Sequence, residues 1–216
     1  MRIAQPVLSS QLEKGIALEE ALSMASSDES SVTEYHFEGG SAAEWDLNKS
    51  EYRSCVFSAC RLTGAHLEKA WLRDVVFERC ELSGVRLVES TLHRVRFVDC
   101  KLSGVNLAGA ALQDVCFQNC TADGMILSES GLKNVCFRDC KLQEASFSAL
   151  HKKAVFSFER CDLRAVDFFH TPLKDVDLTS SDIDGIRLEG SELRGAVVTA
   201  LQACELAKLL GVVIKS

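Results

Sequence analysis

The chain has 216 residues, 47% of them hydrophobic and 25% charged, with a formal net charge of −7. That apolar content builds a core and excludes a disordered chain, and no apolar run reaches the roughly 18 residues that a membrane-spanning helix needs. The acidic balance argues against direct, generic nucleic-acid binding, which needs a basic surface. The opening MRIAQPVLSS lacks the basic start and long apolar stretch of a signal peptide, so a cytoplasmic chain with reduced thiols is expected.

In SQLEKGIALEEALSMA, Leu12, Ile16 and Leu22 share one helical face, and Ser10 and Glu13 have capping-box spacing. Residues 1–31 are expected to form an N-terminal cap with a short helix, shielding the apolar edge of the region that begins at 32.

From about 32 to 147, nearly every position ending in 2 or 7 is a large apolar residue, from Phe37 and Leu47 through Leu72 and Phe77 to Leu142 and Phe147; Ala42 and Ala122 are the smaller exceptions. Two places before each sits a small or compact residue such as Ala65, Val75 or Ser90. A period of five fits neither the 3.6 of a helix nor the 2.0 of a strand, so the chain must turn every five residues. A second period lies above it. Phenylalanine recurs at Phe57, Phe77, Phe97, Phe117, Phe137 and then Phe158, and cysteine at Cys60, Cys80, Cys100, Cys120, Cys140 and then Cys161. Twenty residues therefore make one square coil of four sides, and coils stack at about 4.8 Å with identical residues in columns. Gly64, Gly84, Gly104 and Gly124 keep the same spacing at an outward turn place that tolerates positive φ.

The frame slips by one residue within SALHKKAV, 148–155, and resumes at Phe158, Leu163 and Phe168. A bulged turn absorbing a harmless insertion and a hinge between two stacks are both compatible with this. The repeat region spans 32–198. Beyond it, TALQACELAKLLGVVIKS (199–216) carries Thr199 and Gln202 at capping-box spacing, apolar Leu206, Leu209 and Leu210, Gly211 as a helix stop, and Val212, Val213 and Ile214 as a short strand.

Stretches such as CDLRAVDFFHTPLKDVDLTSSDIDGIRL (161–188) and GVNLAGAALQD (104–114) carry the motif A(D/N)LXX, and on it the chain resembles the pentapeptide repeat proteins. That resemblance implies an all-β solenoid, a right-handed quadrilateral β-helix. The ending LQACELAKLLGVVI is similar to the C-terminal segment of the Qnr-type quinolone-resistance proteins and their MfpA relatives. It implies a homodimer joined end to end through Leu201, Leu206, Leu209, Leu210, Val212, Val213 and Ile214; a monomeric cap is the alternative. It further implies a DNA mimic that binds DNA gyrase or topoisomerase IV, with quinolone susceptibility affected. About eight coils would give a stack of roughly 40 Å per monomer. The loops that many Qnr proteins insert between coils, and that help protect gyrase from drugs, have no counterpart in 32–147, where the chain is more similar to loop-free relatives that can inhibit gyrase.

Charge supports the mimic unevenly. Residues 1–51 carry −7 and 52–151 carry +1, while 162–192 carry −5. The acids of that last stretch, Asp162, Asp167, Asp175, Asp177, Asp182, Asp184, Glu189 and Glu192, form the candidate DNA-mimic face and would flank the dimer centre. Solubilising carboxylates on a scaffold with a different partner are the alternative. Arg73, Arg94, Arg96 and Lys101 stand among Asp74, Glu78, Glu81 and Asp99, which favours a salt-bridged face over a nucleic-acid patch.

An enzyme is not indicated. His36, His66, His93, His151 and His170 are scattered, with His66 and His93 at outward places expected to be solvated. No phosphate loop, H-E-x-x-H or nucleophile elbow occurs, and the convex outer surface suggests no pocket; no cofactor or metal is expected. Trp45 fits an inward corner and Trp71 an outward place. In VCFQNC (115–120) and VCFRDC (135–140), Cys120 and Cys140 belong to the inward column as apolar packing residues, whereas Cys116 and Cys136 face outward, so no four sulfurs converge on a metal.

Overall fold

The computed structural model describes residues 2–27, 31–209 and 211–214. One side of each middle coil begins where the twenty-residue period places it, at 51, 71, 91, 111 and 131. Strands β1 (Glu13–Lys14), β2 (Val32–Thr33), β3 (Tyr35–Glu38), β4 (Glu51–Ser58), β5 (Trp71–Glu78), β6 (Thr91–Val98), β7 (Ala111–Gln118), β8 (Gly131–Arg138) and β9 (Val155–Glu159) pair in parallel. Each of β4 to β8 spans two sides, bent between them at Ser54, Asp74, Arg94, Asp114 and Asn134, all at positive φ. The third and fourth sides are joined by single bridges such as Arg61↔Glu81 and His66↔Arg86, again twenty residues apart. The result is a right-handed quadrilateral β-helix of about seven turns with a short helix at either end.

The inward places fill the coil. Phe57, Phe77, Phe97, Phe117 and Phe137 stack face to face at centroid spacings of 4.8–5.0 Å, the strand spacing itself. The six cysteines from Cys60 to Cys161 are buried at the corners, where each thiol reaches the carbonyl two residues back, as Cys80 does to Glu78 at 3.4 Å. Positive φ is not confined to the glycine column: Glu44, Lys69, Arg79 and Glu129, each two places after a central apolar residue, adopt it as well. Left-handed backbone costs a residue with a Cβ about 1–2 kcal/mol. The corner N–H is what holds it there, since each donates to the next coil, Lys69 to Val88 O and Arg79 to Val98 O at 2.9 Å.

The frame slip is absorbed locally. A turn over 151–154 precedes β9, and the register against β8 changes between Lys133↔Val155 and Val135↔Phe156, a bulge on β8. Phe147 packs edge-on against Phe137 and Phe158 and lies 5.6 Å from Phe168, so aromatic rings carry the core through the slip.

The N-terminal expectation needs correction. Helix α1 covers Leu18–Ser27, with Leu18, Ala21 and Leu22 buried on the first coil, and Ser10 and Glu13 do not cap it. Glu13 and Lys14 instead form β1 and pair with Tyr35 and His36. Seating α1 requires Gly40, where a Cβ would lie 2.7 Å from that of Leu18 and φ is +90°. The preceding segment is a strap laid across the coils, with the N–H groups of Ala4, Val7 and Ser9 donating to Asp114, Asp74 and Ser54 in turn. Ile3, Pro6, Ser9 and Leu12 are half-buried and the residues between are exposed, a three-residue period of extended chain.

At the other end, α2 (Ala200–Leu209) begins with the expected reciprocal cap. Thr199 N–H donates to Gln202 Oε1 at 2.9 Å and Gln202 N–H to Thr199 Oγ1 at 3.2 Å, while Gln202 Nε2 reaches the carbonyls of Leu178 and Ser181. The helix ends at Gly211, with Gly211 N–H on Lys208 O and Val212 N–H on Ala207 O. Residues 212–214 pair with no strand among the described residues.

Candidate functional site

The acidic residues of the last two coils do not share one side. Asp162, Asp182 and Asp184 lie on the third side, Asp167 and Glu189 on the fourth, Asp177 on the second and Asp175 at the corner that ends the first, as the bridges Asp162↔Asp182, Asp167↔Arg187 and Asp177↔Val197 fix. They ring the end of the rod. Asp175, Asp177, Asp182, Asp184 and Glu189 are exposed. Asp162 is engaged by Arg164 through hydrogen bonds of 2.9 and 2.7 Å, and this guanidinium holds its carboxyl down at about 2. Arg164 also reaches Asp182, at 3.7 Å.

Glu192 departs from the expected surface. It is 4% exposed, in a 3-10 turn over Ser191–Leu193, and its carboxylate accepts the N–H groups of His170 at 3.1 Å and Glu189 at 3.2 Å. Burial alone would raise its pKa, but the backbone N–H groups of Glu192 itself, His170, Glu189 and Gly190 together outweigh burial and lower it. The side chains of His170, Glu189 and Glu192 approach within 4.8 Å, a donor set of metal-ligand type. Both Glu192 oxygens already serve backbone N–H groups, so its present work is to tie the last turns together.

The C-terminal apolar residues also divide. Leu206 is buried, packed with Leu193, Ala196 and Val198 of the last coil, whereas Leu201 and Val213 are 76% and 83% exposed and Leu209, Val212 and Ile214 about half exposed. Leu210 lies outside the described residues. Among the described residues of α2, Leu206 is thus the one fully buried against the solenoid, while Leu201 stands in solvent and Leu209 is half exposed.

The mixed basic and acidic face is paired: Arg94 and Arg73 engage Asp74, Lys101 engages Glu81 at 3.1 Å, and Arg96 reaches the Gln118 amide. His66 and His93 are half-buried rather than solvated. Burial and the nearby Arg94 and Arg73 lower the pKa of His93. Trp45 is half-buried against the core and Trp71 is 61% exposed. No helix among the described residues is long and apolar enough to cross a membrane.

Two expectations for the outer surface are overturned. Cys116 and Cys136, at outward places on adjacent coils, are 5% and 2% exposed and joined by a disulfide. Their partners are each other across the coil spacing, not Cys120 and Cys140, and the strap's anchor Asp114 lies just before Cys116. The surface is also not uniformly convex, since a trough of about 620 Å³ runs across the coils on the first side. The small outward residues Ala111 and Gly131 that form it are invisible to a reading that tracks only inward places.

Two family models match the chain, both describing pentapeptide repeats, over residues 46–79 and 90–156. The chain is a pentapeptide repeat protein. Among solved structures it is similar to full-length QnrB1, a plasmid-mediated fluoroquinolone resistance protein, at 16% identity and a TM-score of 0.45, covering 82% of this chain and 100% of that one. It is similar also to HetL, a pentapeptide repeat protein involved in heterocyst differentiation regulation from the cyanobacterium Nostoc, at 17% identity and a TM-score of 0.30, covering 85% and 98%. No curated protein matches the chain.

Proposed function

We propose that this pentapeptide repeat protein is a non-enzymatic, rod-shaped homodimer that binds a type II topoisomerase, DNA gyrase or topoisomerase IV, in place of DNA and so modulates quinolone susceptibility. The supporting observation is that exposed carboxylates and exposed apolar residues meet at one end of the rod. Asp175, Asp177, Asp182, Asp184 and Glu189 ring the coils next to Leu201, Leu209, Val212, Val213 and Ile214. Joining two rods there would bury the apolar group and bring two acidic rings together at the centre. Duplex DNA is negative on all sides, so a ring of carboxylates imitates it as well as a strip would. A basic DNA groove would then draw the rod in with a strong dependence on salt.

A supercoiling assay with purified gyrase, run with and without a quinolone, tests this. Inhibition or drug protection by the protein, weakened at higher salt and by Asp177→Asn, Asp182→Asn and Asp184→Asn together, is expected. Indifference at micromolar protein would leave the second reading, a scaffold for a different partner. One observation favours that reading: the carboxylates are spread over several sides, as solubilising groups would be, and Arg164 neutralises part of the set.

A further inference from the structure

The first side of the solenoid carries a trough whose shape is written in two outward columns. One column runs Trp71, Thr91, Ala111, Gly131, each paired in register with the next coil. The side chains shrink along it from an indole to nothing, so the floor deepens away from Trp71. At the far end His151 folds over Gly131, where an added Cβ would lie 3.1 Å from His151 Nδ1. The second column, Arg73, His93, Gln113, Lys133, stands beside it; Gln113 Nε2 donates to Asp114 and His93 Nε2 accepts from Arg94, so Arg73 and Lys133 supply its charged donors. From Trp71 to His151 is four coils, about 19 Å at strand spacing, which matches about six residues of extended chain.

Charge at the trough is mainly positive, although Arg73 also pairs with Asp74 at 3.6 Å. Arg73, Lys133 and Lys153 border it against the single carboxylate of Glu51. Among the described residues neither Lys133 nor Lys153 has a carboxylate within 4.0 Å, although the protein as a whole carries −7. One column over, the solenoid already holds an extended segment across its coils. The strap is bound there by its N–H groups to acceptors, Ser54, Asp74 and Asp114. The trough presents the opposite half of that chemistry, donors suited to carbonyls and carboxylates.

We propose that the trough between Trp71 and His151 binds an extended acidic peptide segment of a partner protein, its carboxylates along Arg73, Lys133 and Lys153 and a large apolar side chain against the Trp71 ring. A peptide is favoured over single-stranded nucleic acid because the floor offers one stacking ring rather than a series, and the acidic remainder of the surface repels a long polyanion. This site lies on the middle coils, away from the C-terminal carboxylates, and does not depend on the topoisomerase reading.

Selection of a phage-displayed library of random linear peptides, about ten residues long, on the full-length protein tests the proposal. Selected peptides are expected to be rich in Asp and Glu with one aromatic or large aliphatic residue. As synthetic peptides they should change Trp71 fluorescence, and lose about tenfold in affinity with Lys133→Glu plus Lys153→Glu, equivalent to about 1.4 kcal/mol. Trp71→Ala should remove the fluorescence response and weaken binding, read by anisotropy of a labelled peptide. All substitutions are at outward places, and unchanged urea unfolding would show the coils intact. No enrichment, enrichment of basic peptides, binding unaffected by these variants, or tighter binding of a thymidine oligonucleotide at the same trough would each overturn the proposal.

Discussion

Arg94 clamps Asp74 across one coil through two parallel hydrogen bonds, Nε to Oδ1 and Nη2 to Oδ2, both 2.6 Å, and the same Oδ1 accepts the N–H of Val7 at 2.8 Å. One carboxylate therefore joins two coils to the strap. Its side chain is 8% exposed and that of Arg94 is 19% exposed, so solvent cannot replace either partner cheaply. Asp74→Ala is expected to cost roughly 1.5–3 kcal/mol in urea unfolding, the range for hydrogen bonds to charged groups. Hydrogen exchange at Val7 should accelerate as well. Asp74→Asn keeps an acceptor for Val7 but weakens the clamp, so exchange at Val7 should change less than unfolding does.

The strap should respond to acid, and the sign follows from its anchors. Burial works to raise the pKa of Asp74 and of Asp114. It is outweighed at Asp74 by Arg94 and the Val7 N–H, and at Asp114 by Asn134 and the Ala4 N–H, leaving both below the ordinary carboxylate value. A lowered folded pKa adds stability that is complete above the unfolded value near 3.9 and is lost as pH falls through the folded value. Amide signals of Ala4 and Val7 should accordingly hold steady from pH 7 to pH 5 and move only below about 4. A transition centred near pH 6 would contradict this assignment.

The solenoid was legible because each inward place is written many times over. Phe57, Phe77, Phe97, Phe117 and Phe137 repeat one structural fact five times, so single exceptions such as Ala122 do not obscure it. The strap is written once. Its half-buried residues, Ile3, Pro6, Ser9 and Leu12, are mixed in polarity, and its anchors occupy turn places where Ser or Asp is unremarkable in a repeat. A capping-box spacing at Ser10 and Glu13 then outweighed a β-bridge that no local pattern announces. The trough was hidden for a related reason: it depends on the sizes of outward residues compared across coils, Trp71 against Gly131, and the period-five signal passes over these. Glu192 matched the acidic composition of its neighbours, and only the 3-10 turn after Gly190 reveals that it points inward.

Cysteine accessibility gives a direct test of the outer surface. Of the ten cysteines, eight are free and Cys116 and Cys136 are bonded. Alkylation in denaturant without reductant should therefore add eight labels by mass, rising to ten after reduction. Cys116→Ser should make every remaining cysteine reactive. A bridge closing a loop of this length contributes about 3 kcal/mol in the chain-entropy model. Reduction of the wild type should lower its unfolding midpoint, with no effect on Cys116→Ser.

The phenylalanine stack predicts a strongly graded response to side-chain size. Phe97 lies between Phe77 at 5.0 Å and Phe117 at 4.8 Å and is almost fully buried. Backbone bridges on every coil keep those neighbours from closing a gap. Phe97→Ala should cost about 3–5 kcal/mol, whereas Phe97→Leu, which keeps most of the volume, should cost less than about 1.5 kcal/mol. Because each coil contacts only its neighbours, the alanine variant should also broaden the unfolding transition as the two halves uncouple. Equal losses for both variants would show that the stack is not packed as tightly as its spacing implies.

The C-terminus separates cap from interface. Leu206 is buried against the last coil while Val213 and Leu201 are largely exposed, so the apolar residues of one short segment should behave in two ways. Leu206→Asp places a charge beneath α2 and should destabilise the end coil whatever the oligomeric state. Val213→Asp should leave urea unfolding of the isolated chain unchanged and act only on association. Light scattering of the wild type should give twice the 23.7 kDa chain mass, and Val213→Asp should return it to the chain mass. A wild type that is monomeric at every concentration tested would remove the end-to-end dimer, and with it the doubling of the acidic ring on which the DNA-mimic reading depends.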